Sequence, residues 1–272
     1  ISNLPLMPKG NMPYDGGNLS LSEQEKEKLI NDYPESTKFI KKLIGAEEFL
    51  DGKQRFCLWL SNKNLNDALK IEPIKTRIEN VKNMRLSSTD KAAHKLAERA
   101  HQFRETNETT TSSLIIPLTT SERRVYIPLG FVNSEYIATN AVSVIYDAEP
   151  WIFGVISSLM HMAWVRAVGG SLETRIRYSS VLCYNTFPFP NISQKQKDEI
   201  TELVFAILDE REKHSQKTLA QLYDPDKMPE GLRKAHHTLD KAIEQCYRTK
   251  PFESDEERLE YLFKMYEEMS SK

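Results

Sequence analysis

Gly169-Gly170 separates two periodicities that cannot belong to one element, and that junction constrains the fold more than any other feature of the 272 residues. Before it, Ile152, Val155, Ile156, Leu159 and Ala163 recur at helical spacing. Pro150 suits the first turn of a helix running into MHMAWVR (160–166). After it the period drops to two, with Leu172, Thr174, Ile176 and Tyr178 alternating with Glu173, Arg175, Arg177 and Ser179. The pattern predicts a strand anchored by the first set, with one carboxylate and two guanidiniums in a row on its open face. A chain built this way is α+β: a domain of mixed strands and helices.

That row has a defined bonding capacity. Arg offers only donors, and ionised Glu only acceptors. A C·G pair presents guanine O6 and N7 as acceptors and cytosine N4 as a donor, so Glu173 and Arg175 together can read both bases. Strands and ribbons enter grooves in some DNA readers. The plainer alternative is that the two pair with each other on a solvated face, which contributes little. His161, alone among Met160, Met162 and Trp164, reads as a satisfied core residue and is assigned no chemistry.

Upstream, residues 1–20 are rich in Pro, Gly and Asn and read as an irregular entry. Ser22 with Glu25 is a capping box for a short helix through Ile30. Phe49-Leu50, Asp51-Gly52 and Arg55–Leu60 read as a hairpin with a type I′ turn, with Phe56 and Trp59 in the core rather than stacked on bases. Residues 70–104 read as helical and hold nine Lys and Arg against four Asp and Glu. Lys82, Arg85, Lys91, Lys95 and Arg99 are the phosphate candidates there, the alternative being a solvated face balanced by Asp90 and Glu98. After a Thr-rich loop, strands are expected at 114–118, 123–131 and 141–146. In the turn Ser121-Glu122-Arg123-Arg124 the arginines are DNA-backbone candidates, or Glu122 simply ties the turn. Asn140 either pairs with adenine or serves as an ordinary turn residue.

Beyond Pro190 only helices are expected. Ser193 with Gln196 caps one carrying Ile200, Leu203, Val204, Ile207 and Leu208. Pro229 and Gly231 precede another, and Ser254 with Glu257 caps the last. Two domains follow, 1–190 and a helical 191–272. The second is net −4 and the first net +2, so the helical end is the poorer DNA binder.

The whole chain is net −2 with 28% charged residues, so any DNA affinity must come from local patches. Cys57, Cys183 and Cys246 lie far apart in no C-x-x-C, as in a reduced cytoplasmic protein. No apolar run of about eighteen residues suggests a membrane span. No Asn/Asp-Pro-Pro-Tyr/Phe run and no glycine-rich strand-to-helix turn is present, so methyl transfer and its cofactor have no recognisable seat here. Asp224-Pro225-Asp226-Lys227 reads as a connecting turn, and His236, His237 and Asp240 lack a further metal ligand. Ile1 in place of Met hints at a piece of a longer protein.

HMAWVR (161–166), G-G-x-L-E-x-R-x-R-Y-S (169–179) and Y-N-x-F-P-x-P (184–190) together resemble the MmeI-type family of DNA methyltransferases. These are large single-chain restriction-modification enzymes. The resemblance extends over PYDGGNLSLS (13–22), GAEEFLDGKQRFCLWL (45–60), SERRVYIPLGF (121–131) and LYDPDKMPEGLRKAHHTLDKAI (222–243), departing at Phe189, where Trp is frequent. It implies a target recognition domain followed by a helical C-terminal piece, binding double-stranded DNA for an adenine-N6 methyltransferase module of the same parent chain. It places sequence reading at Glu173 and Arg175 and near Asn140 and Ala141, with S-adenosylmethionine bound elsewhere in the parent. Two rivals are methyl transfer by an unrecognised site in this chain, and a protein-interaction module that never touches DNA.

Overall fold

The computed structural model describes residues 4–271. Its strands are β1 (Ser20–Leu21), β2 (Ile40–Ile44), β3 (Phe56–Leu58), β4 (Ser112–Pro117), β5 (Thr119–Thr120), β6 (Gly130–Asn133), β7 (Tyr136–Ala138), β8 (Val142–Tyr146), β9 (Gly170–Leu172) and β10 (Arg175–Arg177). Its α-helices are α1 (Glu23–Asp32), α2 (Ala46–Asp51), α3 (Leu65–Ala68), α4 (Glu72–Leu86), α5 (Lys91–Leu96), α6 (Pro150–Ile156), α7 (Leu159–Val168), α8 (Gln194–Glu212), α9 (Leu219–Leu222), α10 (Glu230–Tyr247) and α11 (Asp255–Ser270). The fold is α+β.

Two compact units share the chain. The first holds residues 4–8, Ser112–Phe131 and the described residues from Ser143 onward. Its sheets run β5-β10-β9 and β6-β4-β8. One core joins Leu114, Ile116, Phe153, Trp164 and Phe187 to Ile200, Val204, Leu239 and Leu262. The composition change near residue 190 is therefore not a break in packing. Gly154 shows why, since a Cβ there would lie 2.4 Å from Ile200 Cγ2, so α6 and α8 meet backbone to side chain. The capping boxes at Ser22 and Ser193 form, and Ser254 accepts from the Glu257 N–H at the start of α11.

The second unit comprises Lys9–Thr111 and Val132–Val142. A sheet ordered β1-β3-β2-β7, antiparallel except for β2 with β7, carries a core of Leu19, Leu21, Phe39, Leu43, Leu58, Ile74, Val81 and Phe103. Phe56 belongs to this core, while Trp59 is half-buried and its indole N–H donates to Glu108.

Four expected elements differ. Phe49-Leu50 ends helix α2, and Gly52 at φ 71° is its left-handed cap. Asp-Gly thus closes a helix here instead of turning a hairpin, a second use of the same glycine freedom. The helix from Pro150 is two helices bent by 56° at Ser157-Ser158, where the Ser158 hydroxyl caps His161 N–H and restarts the ladder. Of 123–131 only Gly130 onward is strand, because the chain turns at Ser121–Arg124 and Pro128 has no N–H for a ladder. The alternating run 172–179 is a hairpin and not one strand. Among the described residues no single helix is long and apolar enough to cross a membrane.

Candidate nucleic-acid interface

In the hairpin, Arg175 faces Leu172, Ile176 faces Ser171 and Arg177 faces Gly170 across β9-β10, leaving Glu173-Thr174 as a two-residue turn. On the other side β10 pairs with β5, Ile176 with Thr120 and Arg177 with Thr119. Directly opposed residues share a face, so Leu172, Arg175, Arg177 and Thr119 lie on one side. Ile176 packs on the core from the other. The expected inward set is corrected accordingly: Leu172 and Thr174 are exposed, since the turn reverses the chain before the alternation can continue.

Local contacts fix the hairpin to its unit. Gly169 leaves α7 so close that a Cβ would sit 2.4 Å from the Val165 carbonyl. Tyr178 is buried, its N–H donating to the Leu118 carbonyl at 2.8 Å and its hydroxyl bonded to His161 Nε2 at 3.0 Å. Burial alone holds His161 down to about 3, a neutral core imidazole, as its apolar setting suggests.

Glu173 sits at the turn with φ 58°. Its carboxylate accepts from Arg175 Nη2 at 2.9 Å, and the two side chains remain 75% and 49% exposed. The ion pair of the plainer alternative therefore forms, and it forms in the open, with both side chains accessible. The Arg177 side chain is exposed and makes no hydrogen bond or ion pair among the described residues.

Arg123 and Arg124 follow the Ser121 turn. Arg123 Nη2 bonds Asp226 at 2.5 Å with both side chains exposed, so the acid it meets is the one in the Asp224–Lys227 turn rather than Glu122. Arg124 is half-buried, donating to Thr120 Oγ1 at 3.1 Å and to the Ala220 carbonyl.

In the second unit, Asn140 and Ala141 form an exposed turn between β7 and β8. The backbone beneath is tightly held. Asn11, fully buried, donates to the carbonyls of Ala138 and Asn107 and accepts from Asn107 N–H, and its own carbonyl receives Asn140 N–H at 3.0 Å. A Cβ at Gly10 would stand 2.3 Å from the Thr139 carbonyl oxygen, so only glycine lets the N-terminal segment pass there. No side-chain hydrogen bond occupies Asn140 among the described residues, which leaves its amide available to an outside partner.

The basic helices divide sharply. Lys82, Lys91 and Lys95 are exposed. Arg85 is not, and its phosphate role is overturned. It is 0% exposed and spends its five donors on the carbonyls of Tyr14 (2.9 Å), Leu96 (2.8 Å), Arg99 (3.1 Å), Pro13 (3.3 Å) and Gln102 (2.8 Å). The planar fork suits that task as no other side chain does. Arg99 likewise turns inward, to the carbonyls of Phe103 and Arg104. Helical spacing carried the signal that separates them: Arg85 lies four residues after Val81, on the buried stripe it shares with Ile74, whereas Lys82 lies off that stripe and is exposed.

His236 and Asp240 are buried in the first unit, and among the described residues no cluster of His, Cys, Asp and Glu could hold a metal. His236 stacks on Tyr126 at 4.1 Å and bonds the Tyr223 hydroxyl, which also receives Arg211. These contacts tie His236, Tyr126, Tyr223 and Arg211 together inside the core.

Comparison with known proteins accounts for every residue. A relative, DNA methyltransferase A of Bacillus subtilis (strain 168), is 49% identical over 273 aligned positions, which cover 100% of this chain and 31% of that protein. A solved structure described as the Type IIL restriction-modification enzyme MmeI in complex with DNA superimposes with a TM-score of 0.94 at 40% identity, covering 100% of this chain and 36% of the other. The chain thus spans about a third of the length of each. The MmeI target recognition domain matches residues 1–191 and the MmeI C-terminal domain residues 192–272, so the chain belongs to the MmeI family, as a target recognition domain followed by the C-terminal domain.

Proposed function

We propose that this chain reads the recognition sequence of a site-specific adenine-N6 DNA methyltransferase of the restriction-modification type, acting in the cytoplasm on double-stranded DNA. Methyl transfer from S-adenosylmethionine belongs to the remaining length of the longer protein, in a module of the same parent chain. Glu173 and Arg175 are the principal base readers, with Arg177, Asn140 and Ala141 contributing. Arg123, Arg124, Lys82, Lys91 and Lys95 meet phosphate. Base contacts specify and phosphate contacts hold register.

One observation carries this reading. Glu173 occupies the left-handed region at φ 58° on an exposed hairpin tip. Such a turn favours Gly, Asn or Asp, and Glu there is strained. Among the described residues its carboxylate is met by Arg175 alone. An acid kept at a conformational cost beside an exposed guanidinium fits a role outside the fold: the pair matches the acceptor and donor pattern of a C·G pair.

The test is to make Glu173→Lys with Arg175→Asp in the full-length protein and map the adenines modified in cells. The expected result is inversion of the preferred base pair at one position, each contact contributing roughly 1–3 kcal/mol of discrimination. An unchanged site would leave the pair a surface salt bridge.

A further inference from the structure

The hairpin carries a side chain that the hydrogen-bonding scheme does not use. Leu172 is 45% exposed, although a leucine next to the core has every chance to be covered. Its register explains the exposure: opposed to Arg175, it shares the face of Arg175 and Arg177, while Ile176 takes the buried side. A Cβ added at Gly170, across from Arg177, would meet nothing within 4 Å, so this face is uncovered along its length. An apolar partner protein is a poor occupant, because the leucine's neighbours on the face are two guanidiniums.

A nucleobase edge is a good one. In the major groove the apolar group on offer is the thymine C5-methyl. Opposed side chains start about 4.5–5.5 Å apart at Cβ, and successive base pairs rise by about 3.4 Å. A leucine opposed to the arginine that reads one pair therefore reaches the pair next to it. We propose that Leu172 is a further specificity residue, packing its methyl groups against the 5-methyl of a thymine in the base pair adjacent to the one read by Arg175 and Glu173. The inference rests on the hairpin being the base reader.

The experiment uses the full-length protein and duplexes carrying its mapped site, with each thymine replaced singly by uracil. At one thymine, next to the pair that the Glu173→Lys, Arg175→Asp variant inverts, loss of the methyl weakens wild-type binding about fourfold, the factor expected for one buried methyl. In Leu172→Ala that sensitivity disappears, and in Leu172→Met, which keeps an apolar chain, it persists. Replacing the same thymine by 5-methylcytosine retains the Leu172 contribution while breaking hydrogen-bonded reading, which separates the methyl from the rest of the base. Equal uracil sensitivity in wild type and Leu172→Ala at every position, or no thymine beside the inverted pair, overturns the proposal for Leu172 and leaves the hairpin reading intact. Failure of the double variant to alter the site overturns both.

Discussion

Tyr126 donates its hydroxyl hydrogen to Asp240 at 2.7 Å inside the core of the first unit, and the N–H of Leu159 meets the other carboxylate oxygen at 2.8 Å. Burial pushes Asp240 up to about 7 from an ordinary 3.8, and these two bonds only partly oppose it. The folded chain thus holds a proton that the unfolded chain has lost between pH 4 and 7. Stability from this group falls as pH rises through that window, by a few kcal/mol in total at about 1.4 kcal/mol per decade. His161, held to about 3, acts oppositely: its contribution is present above 6.5 and is lost as pH falls. Asp240→Asn isolates the carboxyl, because the amide can still accept from Leu159 and donate to the Tyr126 oxygen. Urea unfolding at pH 5 and pH 8 should show the variant gaining on the wild type at the higher pH. A constant difference between them would mean that Asp240 is ionised throughout.

Arg85 satisfies five backbone carbonyls of the second unit from a site with no solvent exposure. Arg85→Met strands those acceptors and should cost on the order of 3 kcal/mol or more, since bonds to a charged donor contribute about 1.5–3 kcal/mol each. Arg85→Lys recovers little, because three donors on one point cannot reach around the fork. Exposed Lys82→Ala should stay within about 0.5 kcal/mol. Hydrogen exchange of the second unit's amides reads these losses directly. An Arg85→Met protein as protected as the wild type would return this residue to the surface.

The sequence made periodic elements legible and left their interruptions obscure. The capping boxes at Ser22 and Ser193 use local chemistry that tertiary structure had no reason to override, and they formed. Asp51-Gly52 and the run 172–179 failed for the opposite reason. The same glycine serves a hairpin or a helix cap, and a two-residue turn through Glu173 carries none of the turn residues that would announce it. Glu173 and Arg175 were legible as a pair because strict alternation on a strand and direct adjacency at a turn both leave them exposed together. Arg85 was only half legible: its place four residues after Val81 puts it on the buried stripe of α4, but its partners are main-chain carbonyls from two segments, Pro13-Tyr14 and 96–102, which no side-chain pattern records.

Asp226 and Arg123 form an exposed pair at 2.5 Å, so the bond contributes little to stability but occupies a candidate phosphate contact. Asp226→Asn should tighten DNA binding of the full-length protein and steepen the dependence of log K on log salt by about 0.9, the release expected for one added phosphate contact. Arg123→Ala should weaken binding, and combining it with Asp226→Asn should remove the gain. Identical salt slopes in all the variants would exclude Arg123 from the DNA.

Glu173 at φ 58° offers the sharpest separation of structure from reading. A left-handed conformation costs an L-residue about 1–2 kcal/mol that glycine avoids, while glycine's freer unfolded chain takes back about 0.5–1 kcal/mol. Glu173→Gly should therefore leave the protein as stable as the wild type or slightly more so, in spite of losing the 2.9 Å bond to Arg175, whose exposure keeps its contribution small. On the proposed reading the same change also removes the acceptor for one base, so methylation by the full-length protein should spread to sites differing at a single base pair, with discrimination there reduced by about 1–3 kcal/mol. Thermal unfolding and a map of modified adenines read the two effects on one variant. A carboxylate serving only the turn would give the reverse pattern, lower stability with the recognised sequence intact.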